Sequence, residues 1–379
     1  MIYLYSTGDL FMKLTIDKNQ LLETLQKVQS IVGQRTTLPI LSNVMLEAHK
    51  GKLICTTTDM EVSLRTSIEA DIEEEGSTTL PARRFFSICR DLPSHQVELS
   101  LESGKDSSEV VTIISGSFKG ELGGLSKNDF PPMPVFEESF SYTLGQGILK
   151  DTLQKTSYAA SSDESRAILN GSLMSFRDGK LITVCTDGRR LALVEQDIEM
   201  PEEAQIDVVV PTKTVNELIK SLGVEEDVEI RMSSTQISFE FGNILIISKL
   251  IDGTYPNYKQ VIPSQCEERI SVERELLQSA VRRVSLMLDD QAAAVRLDIS
   301  ENRIELTTST PEIGTATESI PVKYSGKTIS IAFNPTYLVA PLKHLESDEV
   351  FIELSDETSP GVIKSNIPFL YVIMPIRVN

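Results

Sequence analysis

The chain has 379 residues, of which 40% are hydrophobic and 24% charged, a composition typical of a soluble globular protein with two or three domains. Its net charge of −19 by itself argues against nucleic-acid binding, because phosphate binding needs a positive surface. No run approaches the ~18 apolar residues of a membrane span, and residues 1–11 contain no Lys or Arg, which argues against a signal peptide. Since Met12 resembles a natural start, residues 1–11 are interpreted as a dispensable N-terminal extension or as the result of a misplaced start codon.

The cysteines and histidines give no indication of a metal or redox site. The four cysteines lie far apart, mostly within periodic apolar segments, and this pattern predicts free thiols in a reducing cytoplasm. The three histidines occur in no metal-ligand spacing, and there is no phosphate-binding glycine loop. We therefore expect neither a metal nor a cofactor.

Two series of amphipathic helices recur along the chain. Residues 17–32 place Leu21, Leu25 and Val28 on one helical face, and the same spacing returns 128 residues later in residues 147–161 and again in residues 271–287. A second series, each member following a Pro or a polar residue, covers residues 82–92, 212–222 and 335–346. Pro341 lies inside the last segment and is expected to kink or shorten that helix.

Between the helices, apolar and polar residues alternate with the period of two that is typical of strands. This pattern predicts strands at residues 52–57, 62–68, 97–101, 110–115, 228–231, 237–241, 296–299, 303–308, 329–333 and 350–354. Aromatic-proline pairs, Phe130-Pro131 and Tyr255-Pro256, mark the boundaries. The sequence thus predicts an α+β fold of three repeated domains, residues 12–134, 135–263 and 264–379, each with two helices packed on antiparallel sheets.

The charge is unevenly distributed over these elements. The six helical segments carry thirteen Lys or Arg against eight Asp or Glu, which leaves −24 on the rest of the chain. Repeated units joined head to tail close into a ring or run on as a filament. If the helices faced a central hole, its positive lining would attract duplex DNA, which carries one negative charge per ~1.7 Å of axis. Solvated helix faces would give the same composition, so charge alone leaves both interpretations open.

One predicted turn differs from its repeats. Thr186-Asp187-Gly188-Arg189-Arg190-Leu191 follows an alternating strand pattern, and its Thr-Asp pair has a counterpart in Thr58-Asp59. The residues that follow have no counterpart, because the first copy continues Met60-Glu61-Val62-Ser63 and the third reads Glu312-Ile313-Gly314-Thr315 after Pro311. A double arginine in only one copy favours an exposed site with a function added to that copy.

The chain resembles the bacterial DNA polymerase III beta subunit family, the sliding clamps, over essentially all of residues 12–379. The motifs that carry the resemblance are residues 38–41 (LPIL), 81–86 (PARRFF), 169–171 (LNG), 186–191 (TDGRRL), 252–256 (DGTYP) and 371–377 (YVIMPIR). The resemblance implies two subunits joined head to tail in a pseudo-sixfold ring, with helices lining a hole for duplex DNA and sheets forming the outer wall. It also implies a processivity factor that is not an enzyme, slides without sequence specificity, and is opened by an ATP-hydrolysing clamp loader.

The resemblance implies three sets of contact residues. A groove between the second and third domains would bind Gln- and Leu/Phe-containing peptides of the DNA polymerase III alpha subunit, the clamp loader, other polymerases and repair proteins. Its wall would be formed by Leu169, Thr186, Gly188, Arg189, Arg190, Leu191, Pro256, Val261, Pro360, Val372, Met374, Pro375, Ile376 and Arg377. Contacts with DNA are expected from Arg35, Arg83, Arg84, Lys150, Lys213 and Arg282. In the homodimer, Leu286 and Met287 would pack against residues 118–122, chiefly Phe118 and Leu122.

Two positions depart from the family pattern. Asp163 would repel phosphate, so no DNA contact is expected from the loop that also holds Ala167 and Ile168. Gly120 lies where an aromatic residue is expected at the subunit contact.

Two other classes of function compete with a sliding clamp. An enzyme is disfavoured because no carboxylate pair, Ser/His/Asp set or Cys/His pair accompanies a glycine-rich turn. Asp59 and Asp187 occupy equivalent turns, which indicates shared turn chemistry, since a catalytic acid seldom needs two copies. The remaining alternative is a repeat-built scaffold that binds proteins without encircling DNA.

Overall fold

The structure, a computed structural model, describes residues 10–33, 38–103, 109–135, 140–199, 205–289, 294–311 and 313–377. The chain divides into two compact units. Unit 1 consists of Met1–Gln146 and Lys220–Lys249, and unit 2 consists of Gly147–Ile219 and Leu250–Asn379. The segment predicted as the second domain, residues 135–263, therefore contributes strands to both units.

Each third of the chain repeats one order of elements within the described residues: a strand, a helix, four strands, a helix and three strands, with one additional strand in the first third. The first third contains β1 (Leu10–Asp17), α1 (Lys18–Val28), β2 (Asn43–His49), β3 (Lys52–Thr58), β4 (Val62–Glu69), β5 (Asp71–Glu74), β6 (Gly76–Pro81), α2 (Ala82–Asp91), β7 (Gln96–Ser103), β8 (Glu109–Ser115) and β9 (Phe118–Gly123). The second contains β10 (Phe140–Gly145), α3 (Gln146–Gln154), β11 (Gly171–Arg177), β12 (Lys180–Thr186), β13 (Arg190–Asp197), β14 (Ile206–Pro211), α4 (Thr212–Ser221), β15 (Asp227–Met232), β16 (Gln236–Phe241) and β17 (Ile244–Lys249). The third contains β18 (Glu268–Glu273), α5 (Arg274–Val284), β19 (Val295–Ser300), β20 (Arg303–Thr310), β21 (Gly314–Pro321), β22 (Ile329–Phe333), α6 (Pro335–His344), β23 (Glu349–Leu354), β24 (Gly361–Lys364) and β25 (Phe369–Ile373).

These elements confirm the predicted α+β repeat, and every predicted strand is present to within two residues at each end. The helix starts follow from capping chemistry. The Asp17 carboxylate accepts hydrogen bonds from the N–H groups of Asn19 and Gln20, and the Asn334 side chain accepts from Thr336 and Tyr337. Pro335 then occupies the first turn of α6, where its missing N–H is not needed.

The predicted ends of the first helical series are wrong by several residues. The α-helix α1 ends at Val28, and the N–H groups of Ile31 and Val32 instead bond to carbonyls three residues back. In the other two repeats, residues 157–159 and 285–287 likewise form 3-10 turns. The apolar pattern extends past the first two helices because Ile31, Val32 and Ala159 are buried, whereas Leu286 and Met287 in the third turn are exposed.

Of the two effects expected of Pro341, a kink or a shorter helix, the shortening does not occur. The helix α6 has ten residues, as do α2 and α4, and Pro341 lies buried inside it. Proline leaves the carbonyl of Tyr337, four residues earlier, without its usual helical donor. The Tyr371 hydroxyl donates to that carbonyl at 2.8 Å, so a side chain from β25 replaces the missing backbone bond.

Unit 1 holds two antiparallel sheets. Their strand orders are β5-β1-β7-β8-β9 and β10-β15-β16-β17-β4-β3-β2-β6. The second sheet joins strands of the first and second thirds through the pairing of β17 with β4. Helices α1 and α2 pack against each other over these sheets, with Leu21, Leu25 and Phe85 fully buried.

Unit 2 has the same plan. Its sheets have the orders β14-β11-β12-β13-β25-β24-β23-β18 and β21-β20-β19-β22, and the pairing of β13 with β25 joins the second and third thirds. Residues of both sheets and of α5 and α6 share one apolar core. No helix formed by the described residues is long and apolar enough to cross a membrane.

Candidate partner-binding site

The turn between β12 and β13 is built by Asp187 and Thr186. One oxygen of the Asp187 carboxylate accepts from the N–H groups of Arg189 and Arg190, at 2.9 and 3.0 Å. The Thr186 hydroxyl donates to the carbonyl of Arg190 at 2.6 Å and accepts from the N–H of Gly188. Because Gly188 has φ +86°, a conformation that glycine adopts without steric cost, the chain reverses here with little strain.

The two arginines of the turn have different environments. Arg189 is exposed, whereas only 14% of the Arg190 side chain is accessible to solvent. The Arg190 guanidinium donates to the second oxygen of Asp187 at 3.0 Å and lies 4.4 Å from the centre of the Tyr337 ring. The expectation of an exposed double arginine is therefore wrong for Arg190, which is held by an ion pair and a cation–π contact.

Strand pairing brings this turn to the C-terminal segment. On β13 and β25, Arg190 lies opposite Ile373, and Leu191 lies opposite Val372. Beyond the strand, the N–H of Met374 donates to the carbonyl of Arg189 at 2.9 Å. The N–H of Ile376 donates to Ala332 at 2.7 Å, which fixes the segment that holds Met374, Pro375 and Ile376. The predicted wall residues of the turn and those of the C-terminal segment thus lie side by side, although almost two hundred positions separate them in the sequence.

The two faces of the sheet carry different residues at this place. Leu191 and Val372 belong to an apolar cluster on one face, together with the partly buried Ile168 and Tyr255. Ala192, Tyr371 and Ile373 alternate with them and face the core that α6 covers. Arg190 is two residues before Ala192 on the strand, so its side chain points to the same face of the sheet. Its guanidinium lies on the ring of Tyr337 in α6. The predicted wall therefore includes side chains from both faces of the sheet.

A second wall comes from residues 163–170 and 251–262. A Cβ atom added to Gly253 would lie 3.6 Å from the Ile168 side chain. A Cβ atom added to Gly188 would lie 3.8 Å from the Arg166 guanidinium. Leu169 is half-buried, and its carbonyl accepts from the N–H of Ser161. Gly171 has no room for a side chain, because Ile251 and Val209 both lie 2.8 Å from that point.

The remaining wall residues present apolar surface to solvent. Val261, Met374 and Ile376 are 49%, 42% and 37% exposed. Pro256 and Arg377 are exposed, whereas Pro375 and Pro360 are half-buried, and Pro360 precedes Gly361, which pairs with Ile373. Exposed apolar side chains beside buried ones and beside backbone groups have the composition of a peptide-sized binding site.

Several residues of this site were not predicted. Tyr337 lies under Arg190, Tyr371 bonds to Tyr337, and Tyr255 donates its hydroxyl to the carbonyl of Val184 at 3.4 Å. Burial raises the pKa of Tyr255 and Tyr371 well above the ordinary value, so both remain protonated donors. Of the aromatic-proline pair Tyr255-Pro256, only Pro256 was predicted as a wall residue.

The predicted DNA-contact residues lie on helices. Arg83 and Arg84 on α2, Lys213 on α4 and Arg282 on α5 are exposed, and Lys150 on α3 is half-exposed. Arg35 lies outside the described residues. Arg274, Arg282 and Lys343 line a cavity of about 330 Å³ between α5 and α6. Asp163 accepts from the N–H and hydroxyl of Ser165, and these bonds lower the pKa of its carboxyl, which therefore stays negative.

The predicted dimer residues divide into exposed and buried members. Leu286 is 77% exposed, and Met287 and Phe118 are each 37% exposed. Leu122 is only 8% exposed and packs within its own unit. The Phe118 ring lies over Gly120, where a side chain would begin 2.8 Å from it. The ring of Phe118 thus occupies the place beside Gly120 where an aromatic side chain was expected.

Repeated helix-and-sheet units whose antiparallel sheets join neighbouring thirds of the chain have the α+β fold of the DNA clamp class. Family models of the DNA polymerase III beta subunit match the N-terminal domain at residues 12–134, the central domain at residues 143–257 and the C-terminal domain at residues 259–377. The beta sliding clamp of Chlamydia muridarum is 36% identical over 368 residues, which are 97% of this chain and 100% of that protein.

Solved structures agree with these matches. A sliding clamp (DNA polymerase III subunit beta) from Bartonella birtlesii, bound to griselimycin, superimposes with a TM-score of 0.91 at 35% identity. The DNA polymerase sliding clamp from Bacillus subtilis gives a TM-score of 0.91 at 31% identity. Both alignments cover 97% of this chain and 100% of the other. The chain belongs to the DNA polymerase III beta subunit family, the processivity clamps of replication.

Proposed function

We propose that two copies of this chain form a head-to-tail ring that encircles duplex DNA, slides along it and tethers DNA polymerase III. The observation that carries the proposal is the succession of three sliding-clamp domains over residues 12–377. The domains of the subunit are proposed at residues 12–134, 135–263 and 264–379, after an extension of residues 1–11. The chain contributes a surface rather than catalysis, and ATP hydrolysis belongs to the clamp loader.

The DNA-facing surface is proposed to consist of the basic helix residues. Arg83, Arg84, Lys213 and Arg282 are exposed and supply positive charge on a chain that is otherwise strongly acidic. Together with Lys150 and Arg35, these side chains would contact phosphates without reading sequence, as sliding requires.

The test of encirclement is topological. Protein loaded by a clamp loader onto a nicked circular plasmid should remain bound through gel filtration, and linearising the plasmid should release it. Equal retention on circular and linear DNA would refute encirclement and favour the protein-only scaffold. A variant with Arg83, Arg84 and Lys213 changed to Glu controls for the charge, since it should load less efficiently.

The homodimer contact is proposed between Leu286 and Met287 of one protomer and the surface around Phe118 of its partner. Within unit 1, Phe118, Val32, Ile88 and Leu92 line a cavity of about 720 Å³, which is large enough for an inserted leucine side chain. Leu122 supports this surface from inside. The exposure of Leu286 is the counterpart of the cavity, because a large apolar side chain left in water is destabilising.

Solution mass tests this contact. The wild-type protein should be dimeric at micromolar concentration, and Leu286→Lys should be monomeric in sedimentation equilibrium. Ile367→Lys is the matched control, because Ile367 is also exposed and apolar but lies outside the proposed contact. A monomeric wild type, or a Leu286→Lys dimer of unchanged stability, would contradict the assignment.

The site at β13 and β25 is proposed to bind the Gln- and Leu/Phe-containing peptides of the polymerase alpha subunit, the clamp loader, other polymerases and repair proteins. Val261, Met374 and Ile376 offer apolar contact area, and methionine adapts its shape to different partners. Arg189 and Arg377 are exposed beside them and would orient the peptide. A cytoplasmic location is also proposed, supported by free, buried Cys55, Cys89 and Cys185, whose pKa burial raises to about 12, 12 and 11.

A further inference from the structure

The turn at residues 58–62 in unit 1 repeats the hydrogen-bond scaffold of the proposed groove. The Asp59 carboxylate accepts from the N–H groups of Glu61 and Val62, at 3.0 and 2.8 Å, as Asp187 does in its own turn. The Thr58 hydroxyl donates to the carbonyl of Val62 and accepts from the N–H of Met60. The N–H of Lys249, at the end of β17, donates to the carbonyl of Glu61 at 2.8 Å. This bond corresponds to the one that the N–H of Met374 donates to the carbonyl of Arg189 in unit 2.

The apolar neighbours of the groove are repeated as well. Ile40, Leu41 and Phe130 form a cluster in unit 1, with Met45 packed against it. Ile40 and Leu41 stand 128 positions before Ile168 and Leu169, and Phe130 opens the aromatic-proline pair that Tyr255 opens in unit 2. Leu38, next to this cluster in the sequence, is 52% exposed, and Met60 in the turn is 49% exposed. Unit 1 therefore repeats the hydrogen-bond scaffold of the turn and has exposed apolar side chains at Leu38 and Met60.

Met60 occupies its place at a conformational cost. Its φ is +77°, in the left-handed region where its counterpart Gly188 has φ +86°. Side chains other than those of Gly, Asn and Asp rarely adopt this conformation. A large apolar side chain that is both strained and exposed is typical of a binding position rather than of a packing position.

The turn of unit 1 and the turn of unit 2 differ in the sign of their charge. Glu61 stands in place of Arg189, Val62 in place of Arg190, and Lys249 in place of Met374. With Asp59 and Asp187 included, these positions carry −1 in unit 1 and +1 in unit 2. Glu61 is exposed, so its carboxylate is available to a ligand. Charge complementarity therefore favours a basic flank on the partner.

We propose a second docking site on unit 1, formed by the exposed side chains of Leu38, Met60, Glu61 and Lys249. Its occupant is a short peptide with an apolar anchor and an adjacent Lys or Arg that pairs with Glu61. The inference rests on the proposed groove of unit 2, because that groove provides the template for how such a turn receives a peptide.

The test uses full-length protein and three fluorescein-labelled peptides. One has a Leu-Phe anchor flanked by two lysines, one has the same anchor after Gln and two glutamates, and one has an Ala-Ala anchor flanked by two lysines. In anisotropy titrations, Met60→Gly and Glu61→Lys should each weaken the lysine-flanked Leu-Phe peptide at least tenfold, and Arg189→Glu should leave it unchanged. The Ala-Ala peptide should bind at least tenfold more weakly, which controls for general attraction to an acidic protein.

Met60→Gly separates binding from folding, because it relieves the positive φ and should melt at or above the wild-type temperature. Unchanged affinity of the lysine-flanked peptide in both unit 1 variants, or a loss only with Arg189→Glu, would overturn the second site. Absence of binding to wild-type protein at millimolar peptide would also overturn it. The glutamate-flanked peptide reports separately on the groove of unit 2, since only Arg189→Glu should weaken it.

Discussion

The turns at residues 58–62 and 186–190 have one backbone design and two sets of side chains. In both, a Thr hydroxyl and an Asp carboxylate make the same four hydrogen bonds, and the third residue has positive φ. After Asp, however, one turn continues with Met, Glu and Val and the other with Gly, Arg and Arg. In these two repeats the Thr-Asp pair builds the turn, whereas the residues that follow it give each turn a different surface.

The largest expected effect concerns Arg190, the residue that most distinguishes the two turns. Arg190→Ala removes the guanidinium between Asp187 and Tyr337. It should weaken the binding free energy of a Gln- and Leu/Phe-containing peptide by about 2 kcal/mol or more. Calorimetric titration measures this loss. The matched control is Arg84→Ala, which removes an exposed arginine outside the proposed groove. The dimer should persist in both variants. Equal peptide affinity of Arg190→Ala and wild type would remove Arg190 from the site.

The aromatic support under Arg190 is predicted to be the next most sensitive feature. Tyr371→Phe leaves the carbonyl of Tyr337 without a donor and should destabilise the protein by about 1–3 kcal/mol in urea unfolding. Pro341→Ala restores a backbone N–H at that position. The double variant should therefore recover part of the loss, and strict additivity of the two changes would show that the hydroxyl does not substitute for the missing donor.

The two positive-φ positions should respond in opposite directions. Gly188→Ala introduces a side chain at φ +86° and should cost about 1 kcal/mol, whereas Met60→Gly should be neutral or stabilising by up to about 1 kcal/mol. Thermal unfolding of both variants against wild type measures the difference. If Met60→Gly were the more destabilising of the two, Met60 would be a packing residue and the two turns would differ in more than their surfaces.

The smallest expected effect is a pH dependence that comes from His344 in unit 2. Burial, and secondarily Lys343, lower the pKa of His344, whose ring stacks on Tyr158 at 4.7 Å. A lowered folded-state pKa means that the neutral ring is favoured by folding. Stability is therefore complete above the ordinary value of 6.5 and falls as the pH drops through the lowered pKa.

His344→Phe keeps a ring on Tyr158 but cannot titrate. Between pH 6.5 and about pH 5, its unfolding free energy should fall less than that of wild type. Parallel curves for the two proteins would show that His344 titrates alike in the folded and unfolded chain.

The repeat, the strands and the helix starts could be predicted from the sequence because each depends on local chemistry. Asp17 and Asn334 cap their helices through neighbouring N–H groups, and alternation places Val62 and Leu64 inside. The helix ends were predicted less well, because the apolar spacing continues from the last α-helical turn into the tighter turns that follow it.

The candidate site could be predicted as a set of residues but not as an arrangement. The resemblance identified Arg190 and Val372, yet only strand register shows that their side chains lie on opposite faces of one sheet. Tyr337 and Tyr371 carry no local pattern that distinguishes them from ordinary core aromatics. Their role depends on Pro341, whose effect is decided by a residue thirty positions further along the chain.

The hydroxyl of Tyr371 also sets an order of events during synthesis. Residues 335–344 can begin their helix as soon as Asn334 and Pro335 are made, but one turn stays without its full set of bonds until β25 arrives. The same strand pairs with β13, so the last bond of the helix and the strand pairing beside the proposed groove depend on the same residues. A chain that lacks residues 369–373 should therefore lose helix order and partner binding together.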